Sequence, residues 1–572
     1  MATSAAAPTS IELASSERTV MAVLRGEALQ TLQRDVLPAY LLRHRWYGAK
    51  DAGKPAVTLA AGEELPTEDG PALLATLRVQ PPGAAEQRYF LPLMLVWGDA
   101  GQGGADPGDP AVLASIRQDG RAGVLIDAFA RDAFVRVLLA RMAAESGGGK
   151  TVTAEAAPAI QRSRTEQSNT SIRIGGSAML KGFRKLEPGI HPEVEVGRFL
   201  TGTAKFANTP ALLGTIEQTD ESGRPIALCV LQALVPDAED AWGHVLERAK
   251  TPPGPDLLAL VGRLGQRTAE MHHALATRTD DPAFRAEPVG GETIGEWVEA
   301  VRTMARTTLA SLERALPGLS PQVRGEAERL LARRDELMGR FDALAPRDLE
   351  VSRTRLHGDY HLGQVLVSRG DVFIIDFEGE PMRPLAERRA KHSPLRDVAG
   401  MLRSFAYAAA TAKPDRPEDW TRTVTETFLT AYRKAVKGAP GHPGNPAHAD
   451  SLLRLFLFEK ALYEVGYELA NRPDWVAIPL KGVTELLDGA PASPAPSSTP
   501  ALDRLAERAG IELEYKNAAG QMVRMSESAK RNMLAALGHD VPDERAAGAR
   551  LEALEFMLSC ELIAQSRGGM FE

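Results

Sequence analysis

Residues 354–380, TRLHGDYHLGQVLVSRGDVFIIDFEGE, concentrate the side chains that could do chemistry. Asp359 lies in a loop, Gln364 begins the run QVLV, and Asp376 ends the apolar run VFIID. SRGD separates the two runs, so we expect a β-hairpin that brings Gln364 and Asp376 near one end. Two carboxylates and an amide oxygen suit Mg²⁺ and a hydroxyl nucleophile. The segment therefore predicts phosphoryl transfer to an alcohol.

A lysine and an acid that could anchor a nucleotide lie upstream of this segment. Lys181 ends the strand-like run AMLK, and HPEVEVGRFL then begins a helix. Such chemistry needs a lysine on the α and β phosphates and an acid to orient it. Glu193 and Glu195 are both candidates for the acid, and we favour Glu195 because it lies inside the helix. Either acid could instead complement the helix dipole from the first turn.

A polar turn, QSNTS at residues 167–171, precedes the lysine. Small hydroxyl residues can present backbone N–H groups to phosphate, which makes Ser168, Asn169 and Thr170 candidate phosphate contacts. An ordinary polar hairpin turn is the alternative. The run SGGGKT at residues 146–151 is not a Walker A loop, because Ala144 stands where that motif needs glycine.

Composition describes the chain around these residues as an ordinary globular protein. Its 572 residues suggest several domains, and a formal net charge of −8 makes nucleic acid and anionic membranes poor partners. Two cysteines, Cys229 and Cys560, fit a reducing compartment. With no apolar run as long as a membrane span, we predict a cytoplasmic enzyme that acts on a small molecule.

Elements rich in β-strand precede a helical half. Short apolar runs alternate with Gly, Pro and Asp clusters, and residues 89–97 indicate one buried strand. Helical spacing then dominates residues 256–486. The Pro/Ala/Ser stretch 488–500 predicts a linker, and beyond it Ser526 and Gly538 predict the start and end of a helix.

These segments resemble the maltokinases, which are aminoglycoside-phosphotransferase-like and protein-kinase-like enzymes. The matching segments are LPAYLLRHRWYGAK, AMLKGFRKLEPGIHPEVEVGRFL, RTAEMHHALA, TRLHGDYHLGQVLV, VFIIDFEGEPMRPLAERRAKHSPLRDVAGMLRSFAY and FEKALYEVGYELANRPDW. The resemblance implies an α+β, bilobal protein-kinase-like fold with a β-rich N-terminal cap domain and a small helical C-terminal tail. The expected divisions are a leader and helix (1–36), the cap (37–150), the N-lobe (151–240), the C-lobe (241–487), the linker (488–500) and the tail (501–572).

By the same resemblance, the chain would use ATP and Mg²⁺ to phosphorylate maltose at its anomeric hydroxyl, in trehalose-to-glycogen metabolism. Trehalose synthase is then a candidate partner. Carried over by position, the implied roles are Asp359 as catalytic base, Gln364 and Asp376 as metal ligands, Lys181 with Glu195 as ATP anchors, Gln232 and Leu234 in an adenine-contacting hinge over residues 232–235, and His357 and Asp397 as supports of the Asp359 loop.

The sugar site is predicted on a later helix. There Lys460, Tyr463, Glu464 and Tyr467 fall at i, i+3, i+4 and i+7, which places them on one face. Aromatic surfaces, a carboxylate and an amine suit sugar hydroxyls, although a polar face in solvent would look similar. His361 and Trp475 are weaker candidates, and the basic run RRAKH at residues 388–392 could bind phosphate, line the substrate or be solvated.

Two other functions remain open from the sequence. An aminoglycoside kinase or another sugar kinase would share the HGD loop, and a catalytically silent scaffold would keep only the fold. The tail ALDRLAERAGIELEY resembles the start of 4-α-glucanotransferases without their catalytic barrel. Glucanotransferase activity is therefore not expected.

Overall fold

The computed structural model describes residues 9–13, 19–98, 109–145, 158–163, 168–346, 349–381, 383–489, 501–516, 522–542, 546–547 and 550. They belong to two compact units, Met1–Gly444 with Leu452–Leu486, and Asn445–Ser451 with Leu487–Glu572. The run at 146–151, Gln167 and most of the predicted linker lie outside the described residues.

The strands are β1 (Ser10–Glu12), β2 (Ala56–Leu65), β3 (Ala72–Gln80), β4 (Gln87–Phe90), β5 (Leu93–Trp97), β6 (Val112–Gln118), β7 (Arg121–Asp127), β8 (Ile160–Arg162), β9 (Thr170–Ile174), β10 (Ala178–Gly182), β11 (Lys185–Leu186), β12 (Leu212–Thr219), β13 (Pro225–Ala233), β14 (Glu239–Asp240), β15 (Glu287–Pro288), β16 (Ser352–Arg353), β17 (Val365–Ser368), β18 (Asp371–Ile374), β19 (Glu514–Lys516) and β20 (Met522–Arg524).

The helices are α1 (Val20–Val23), α2 (Gly26–Thr31), α3 (Leu37–Arg43), α4 (Asp132–Glu145), α5 (Pro192–Arg198), α6 (Ala241–Arg248), α7 (Pro255–Leu275), α8 (Gly291–Ala315), α9 (Pro321–Ala332), α10 (Arg334–Ala343), α11 (Leu385–Arg388), α12 (Leu395–Ala412), α13 (Pro417–Ala435), α14 (Pro446–Asn471), α15 (Ala477–Asp488), α16 (Ala501–Arg508) and α17 (Glu527–Ala536).

A large sheet in the first unit separates two cores. Its strands run in the order β1-β6-β7-β5-β3-β4-β11, with β2 paired to β3. On β3, Leu73, Ala75 and Leu77 pack with α1 and α3, whereas Ala72 and Leu74 pack with α4 and β10. Successive side chains of a strand point to opposite faces, so β3 is buried on both sides.

The described part of the predicted leader belongs to this sheet. β1 pairs in parallel with β6, and Ile11 and Val20 are buried in one of the two cores. The single strand predicted over residues 89–97 is wrong, because β4 and β5 are separate strands interrupted at Pro92. Proline has no N–H to donate to a sheet, so it commonly ends or interrupts a strand.

A smaller sheet carries Lys181. Its order is β12-β13-β10-β9-β8, and β10 lies between β9 and β13 with antiparallel pairing on both sides. Leu180 is buried in the core shared with the large sheet, so the adjacent Lys181 points to the opposite face. Helix α5 follows with Pro192 in its first turn, as the sequence predicts.

The predicted hairpin is confirmed. β17 and β18 pair antiparallel, with Val365 opposite Ile374, and turn at Arg369 and Gly370, which have φ of 50° and 78°. Positive φ at both turn residues matches the strand twist. Ile375 then donates its N–H to the Gln364 carbonyl at 3.0 Å. The residues that follow the hairpin therefore lie beside Gln364.

Helices α6 to α15 form the predicted helical half. Within it, α12 approaches the loop of Asp359 closely because residue 400 is glycine; a Cβ there would lie 2.6 Å from the Tyr360 carbonyl oxygen. No helix in the described part of the chain is long and apolar enough to span a membrane.

The second unit contains a small module beyond the predicted linker. Helices α16 and α17 share a core that includes Leu502 and Leu534. Ser526 caps α17 through its side chain, and Gly538 follows the helix with φ of 83°, both as predicted. β19 and β20 add a hairpin that the helical prediction for the tail lacks.

Candidate active site

One buried carboxylate, on α12, holds the backbone of the loop that contains Asp359. Asp397 on α12 accepts the backbone N–H groups of His357, at 2.8 Å, and Gly358, at 2.9 Å. His272 lies 3.1 Å from the same carboxylate. Burial alone would raise the pKa of Asp397, but the His272 hydrogen bond and these contacts lower it. The resemblance implies this support from Asp397, and His272 adds to it.

His357 links this loop to the end of the hairpin. Its Nε2 donates to the Ile375 carbonyl at 2.8 Å, and its Nδ1 accepts the Asp359 N–H at 3.3 Å. The two bonds require a neutral ring with the proton on Nε2. Asp359 is thereby placed next to Asp376.

Gln364 and Asp376 meet as the hairpin predicts. The Gln364 side chain hydrogen-bonds Asp376, and although burial would raise the pKa of Asp376, Lys181 and this bond lower it. Asp376 has φ of 67°, a conformation that a non-glycine residue adopts at some cost and that is frequent at active sites. Both residues line a cavity of ~790 Å³ together with Asp359 and Lys181.

Three carboxylates surround the Lys181 ammonium. Its Nζ lies 2.8 Å from Glu193, 2.6 Å from Asp376 and 2.5 Å from Glu378. Burial would lower the pKa of Lys181, but these charges raise it well above its ordinary value. Burial, together with repulsion from Glu378 and Asp376, raises the pKa of Glu193 to about 8, against the opposing effect of Lys181.

The prediction that Glu195 pairs with Lys181 is wrong, because Glu193 occupies that place. Residues two apart on a helix point in nearly opposite directions, so only one of the two acids can face β10. Glu193 is 2% exposed and also accepts a hydrogen bond from Gln232 at 3.2 Å. Glu195 instead binds Arg355 and Arg389.

The donor set fits a divalent cation. Oxygen atoms of Glu193, Asp376 and Glu378 lie within 4.8 Å of one another, but the Lys181 ammonium lies among them and pairs with Glu193. Asp376 and the amide oxygen of Gln364 are the part of this set that could hold a cation beside the lysine. Hard oxygen ligands of this kind suit Mg²⁺. Glu378 was missed from the sequence, although the alternating acids of DFEGE after a strand are a signal that could have found it.

The side chains of the predicted phosphate turn point in two directions. Ser168 and Asn169 line the large cavity, and the Asn169 amide donates to Glu378 at 3.2 Å. The Thr170 hydroxyl instead accepts from Arg184 at 2.7 Å, so its side chain does not serve the cavity. Thr170 begins β9, where neighbouring side chains alternate in direction.

The predicted hinge also lines this cavity. Residues 232–235 form part of its wall. The N–H of Ala233 is donated to the Ala211 carbonyl and that of Leu234 to the Ser177 carbonyl, both at 2.8 Å. A ligand here would have to use other backbone groups than these two.

Comparison with known proteins shows which fold carries this arrangement. Residues 160–415 match the family described as "Phosphotransferase enzyme family", APH. The solved structure of a glucosamine kinase in complex with glucosamine, ADP and inorganic phosphate superposes with a TM-score of 0.53 at 22% identity, covering 80% of this chain and 98% of that one. A second crystal form gives 0.54 at 21% identity, over 80% and 99%. The chain has an APH kinase-like fold.

Two curated relatives of this kinase-like chain are also glucosamine kinases. The protein from Streptacidiphilus jiangxiensis is 26% identical over 472 residues, 77% of this chain and 98% of the relative. The protein from Mycolicibacterium smegmatis is 29% identical over 340 residues, 56% of this chain and 78% of the relative.

A second, smaller cavity lies on the other side of Asp359 in the kinase fold. Lys460 lies 3.7 Å from Asp359 and 3.6 Å from Glu380, and the Tyr463 hydroxyl hydrogen-bonds Glu380. The cavity measures only ~40 Å³, room for a few water molecules. Two of the predicted sugar residues therefore reach the catalytic loop.

The same cavity is walled by charged residues that the sequence prediction lacks. Arg396 binds Glu459 through two hydrogen bonds at 3.0 and 2.6 Å, and Arg383 donates to Glu380 at 3.1 Å. Glu459 lies four residues before Tyr463, so extending the helical face by one turn towards the start of α14 would have included it.

The rest of the predicted sugar face does not reach Asp359. Glu464 is buried against Arg403, with Nε and Oε2 2.8 Å apart. Tyr467 is 38% exposed and stacks on Tyr463, with ring centroids 6.3 Å apart. Trp475 stacks on Tyr407. Only the part of the predicted face that contains Lys460 and Tyr463 borders the loop of Asp359. Glu464 and Tyr467 lie on parts of α14 that face other neighbours.

His361 lies beside the catalytic loop. Its Nε2 is 3.9 Å from Asp359, and its Nδ1 accepts the Gly363 N–H at 3.0 Å. Burial lowers the pKa of His361, against the charge of Asp359. The ring is thereby favoured as neutral.

The basic run at residues 388–392 makes ion pairs with acids from other parts of the chain. Arg388 binds Glu187, Arg389 binds Glu195 and Lys391 binds Glu287. His392 stacks on Trp297 with centroids 4.5 Å apart. The run forms internal contacts, so it is neither a solvated face nor a free phosphate site.

Proposed function

We propose that this chain is an ATP- and Mg²⁺-dependent sugar kinase that phosphorylates maltose at its anomeric hydroxyl, giving maltose 1-phosphate for α-glucan synthesis. One observation carries the phosphotransfer proposal: Asp359 lines both the cavity of Lys181 and Asp376 and the cavity of Lys460 and Tyr463. A carboxylate at this junction can take a proton from an acceptor while the nucleotide lies on the other side. The glucosamine kinases among the relatives support a sugar as acceptor.

The proposed reaction uses this chain's residues in distinct roles. Asp359 accepts the proton of the sugar hydroxyl as that oxygen bonds to the γ-phosphorus and the bond to ADP breaks. Lys181, oriented by Glu193, holds the nucleotide phosphates. Gln364 and Asp376 would hold Mg²⁺, which when bound neutralises charge on the leaving diphosphate.

The charge of the acceptor side favours a neutral sugar over an aminoglycoside. The small cavity is lined by three cations, Arg383, Arg396 and Lys460, as well as by carboxylates, namely those of Asp359, Glu380, Asp397 and Glu459. A polycationic acceptor would bring its amines close to the three cations, which repel them. A neutral sugar can instead accept from the cations and donate to the carboxylates.

The surface beyond Tyr463 favours an acceptor longer than one ring. Tyr463 borders both the small cavity and an open, mostly apolar groove of ~890 Å³ between α8 and α14. Tyr467 lies in that groove, parallel to Tyr463 within 25°. Stacked aromatic rings suit the apolar faces of sugars. A first ring at Asp359, admitted by movement of Lys460 or Tyr463, would place a second ring along the groove.

Glucosamine is the competing acceptor. The glucosamine kinases among the relatives favour it, and Glu380 or Glu459 could pair with its amine if released from the arginines. A monosaccharide would leave the groove at Tyr467 unused. This difference separates the two candidates experimentally.

An ATP-consumption screen tests the proposal. Maltose, glucose, glucosamine, trehalose and an aminoglycoside are compared with Asp359→Asn as the matched background control. We expect turnover with maltose and a phosphate on the anomeric oxygen in the ³¹P NMR spectrum of the product. Turnover of glucosamine alone would overturn maltose but keep sugar kinase activity, and no turnover with any acceptor would favour the silent scaffold.

A further inference from the structure

Helix α5 is attached to two distant segments through Glu195. Its carboxylate accepts from Arg355 Nη1 at 2.7 Å, and from Arg389 Nε at 3.0 Å and Nη2 at 2.6 Å. Arg355 directly precedes the loop of Asp359, and Arg389 follows the segment of Asp376. One acid thus connects the helix of Glu193 to both parts of the catalytic machinery.

Arg355 is the more buried of the two arginines. Arg355 is 2% exposed and lies over the Phe284 ring at 5.2 Å, and Phe284 stacks on Phe199 at the end of α5. Burial would raise the pKa of Glu195, but hydrogen bonds and charge from Arg389 and Arg355 lower it. Removing Glu195 would leave the buried Arg355 guanidinium with only the weaker attraction of Asp281.

The neighbouring arginine makes a parallel connection. Arg388 binds Glu187, which follows β11, and donates to the Glu378 carbonyl at 3.3 Å. The segment after Asp376 is therefore joined to the small-sheet side of the site at two adjacent residues.

We propose that Glu195 is a positioning residue: by binding Arg355 and Arg389, it holds α5 so that Glu193 stays against Lys181. The sequence predicts that Glu195 contacts the lysine directly. In the structure, Glu195 lies on another face of α5 and acts on Lys181 only through the position of Glu193. The inference rests on the proposed function in taking Lys181 and Glu193 as the nucleotide anchor.

The test is nucleotide affinity in the full chain, measured by calorimetry with Mg²⁺ and a non-hydrolysable ATP analogue. Glu195→Gln should weaken binding and raise KM for ATP about 10- to 100-fold, the range seen when a residue that supports a binding group is removed. KM for the sugar should change much less. Lys391→Met is the matched control, because Lys391 lies in the same segment but binds Glu287, and it should stay within about twofold of wild type.

Arg389→Met provides a milder variant if Glu195→Gln does not fold, since Arg389 is 30% exposed. It should weaken nucleotide binding in the same direction, and the double variant should bind no worse than Glu195→Gln. Folded variants that lose melting temperature but keep wild-type nucleotide affinity and KM for ATP would overturn the positioning role. A wild-type protein that does not bind the analogue would overturn the proposed function instead.

Discussion

The two sides of Asp359 differ in how far they are assembled. On the nucleotide side, Lys181 contacts three carboxylates at 2.5 to 2.8 Å beside a cavity of ~790 Å³. On the acceptor side, Lys460 lies 3.6 to 3.7 Å from its partners beside a cavity of ~40 Å³. Preformed contacts reduce the ordering cost of binding. In the proposed reaction, the nucleotide side is therefore the more fully assembled of the two, and the acceptor side has more adjustment to make.

The largest loss of turnover should come from a substitution on the nucleotide side of Asp359. Asp376→Ala removes a carboxylate from the candidate metal site, and we expect turnover to fall about 10³-fold or more, because metal stabilisation of the transferring group is worth several kcal/mol. Asp371→Asn is the control, since Asp371 lies in the same hairpin but binds Arg267. Normal nucleotide affinity, with no rescue by raised Mg²⁺, would refute the metal assignment.

A substitution of Asp359, which lies between the two cavities, should lower kcat without changing nucleotide affinity. Asp359→Asn keeps the shape of the side chain but cannot accept the proton, so kcat should fall about 10²- to 10⁴-fold. Affinity for the ATP analogue should stay unchanged in calorimetry. Unchanged kcat would remove Asp359 from the role of base.

A smaller effect, on KM for the sugar, is expected from a substitution on the acceptor side of Asp359. Tyr467→Ala should raise KM for maltose about 3- to 10-fold, the loss expected from one aromatic contact, with KM for ATP and turnover of any monosaccharide unchanged. Trp475→Phe is the control, because Trp475 stacks on Tyr407 outside the groove. Equal KM values for maltose in both variants would argue against the second sugar ring at Tyr467.

The smallest effect should follow removal of the tail. Residues 501–547 contain a core of their own around Leu502 and Leu534, and every proposed site residue precedes them. Truncation after residue 488 should keep kcat and Tm close to the full chain, since few contacts cross such linkers. Aggregation, or a loss of maltose affinity of about tenfold, which is ~1.4 kcal/mol, would show that the tail contributes to the kinase.

Local sequence signals predicted the catalytic hairpin correctly. The turn at Arg369 and Gly370 and the flanking apolar runs fix the pairing of β17 with β18, so Gln364 and Asp376 could be brought together from the sequence alone. Pro92 was an equally local signal, and overlooking it produced one strand where the structure has two.

Contacts between distant segments could not be predicted. Whether Glu193 or Glu195 faces Lys181 depends on how α5 is rotated against β10, and that rotation depends on Arg355 and Arg389, far along the chain. In the same way, the burial of Glu464 depends on Arg403 of α12. Helical spacing shows which side chains share a face of a helix. Which of them border a site depends on the segments that pack against that helix.

The pairing of β11 with β4 sets a lower limit on the size of a separable kinase module. Lys185 and Leu186 lie within the family match, yet they complete the large sheet opposite Tyr89 and Arg88, and Phe90 donates its N–H to the Arg184 carbonyl at 2.8 Å. Excising the chain at residue 160 would leave β11 without a partner and expose Leu186. The amino-terminal sheet is therefore not an exchangeable accessory, and a chimera that replaced it would need a new strand to match β11.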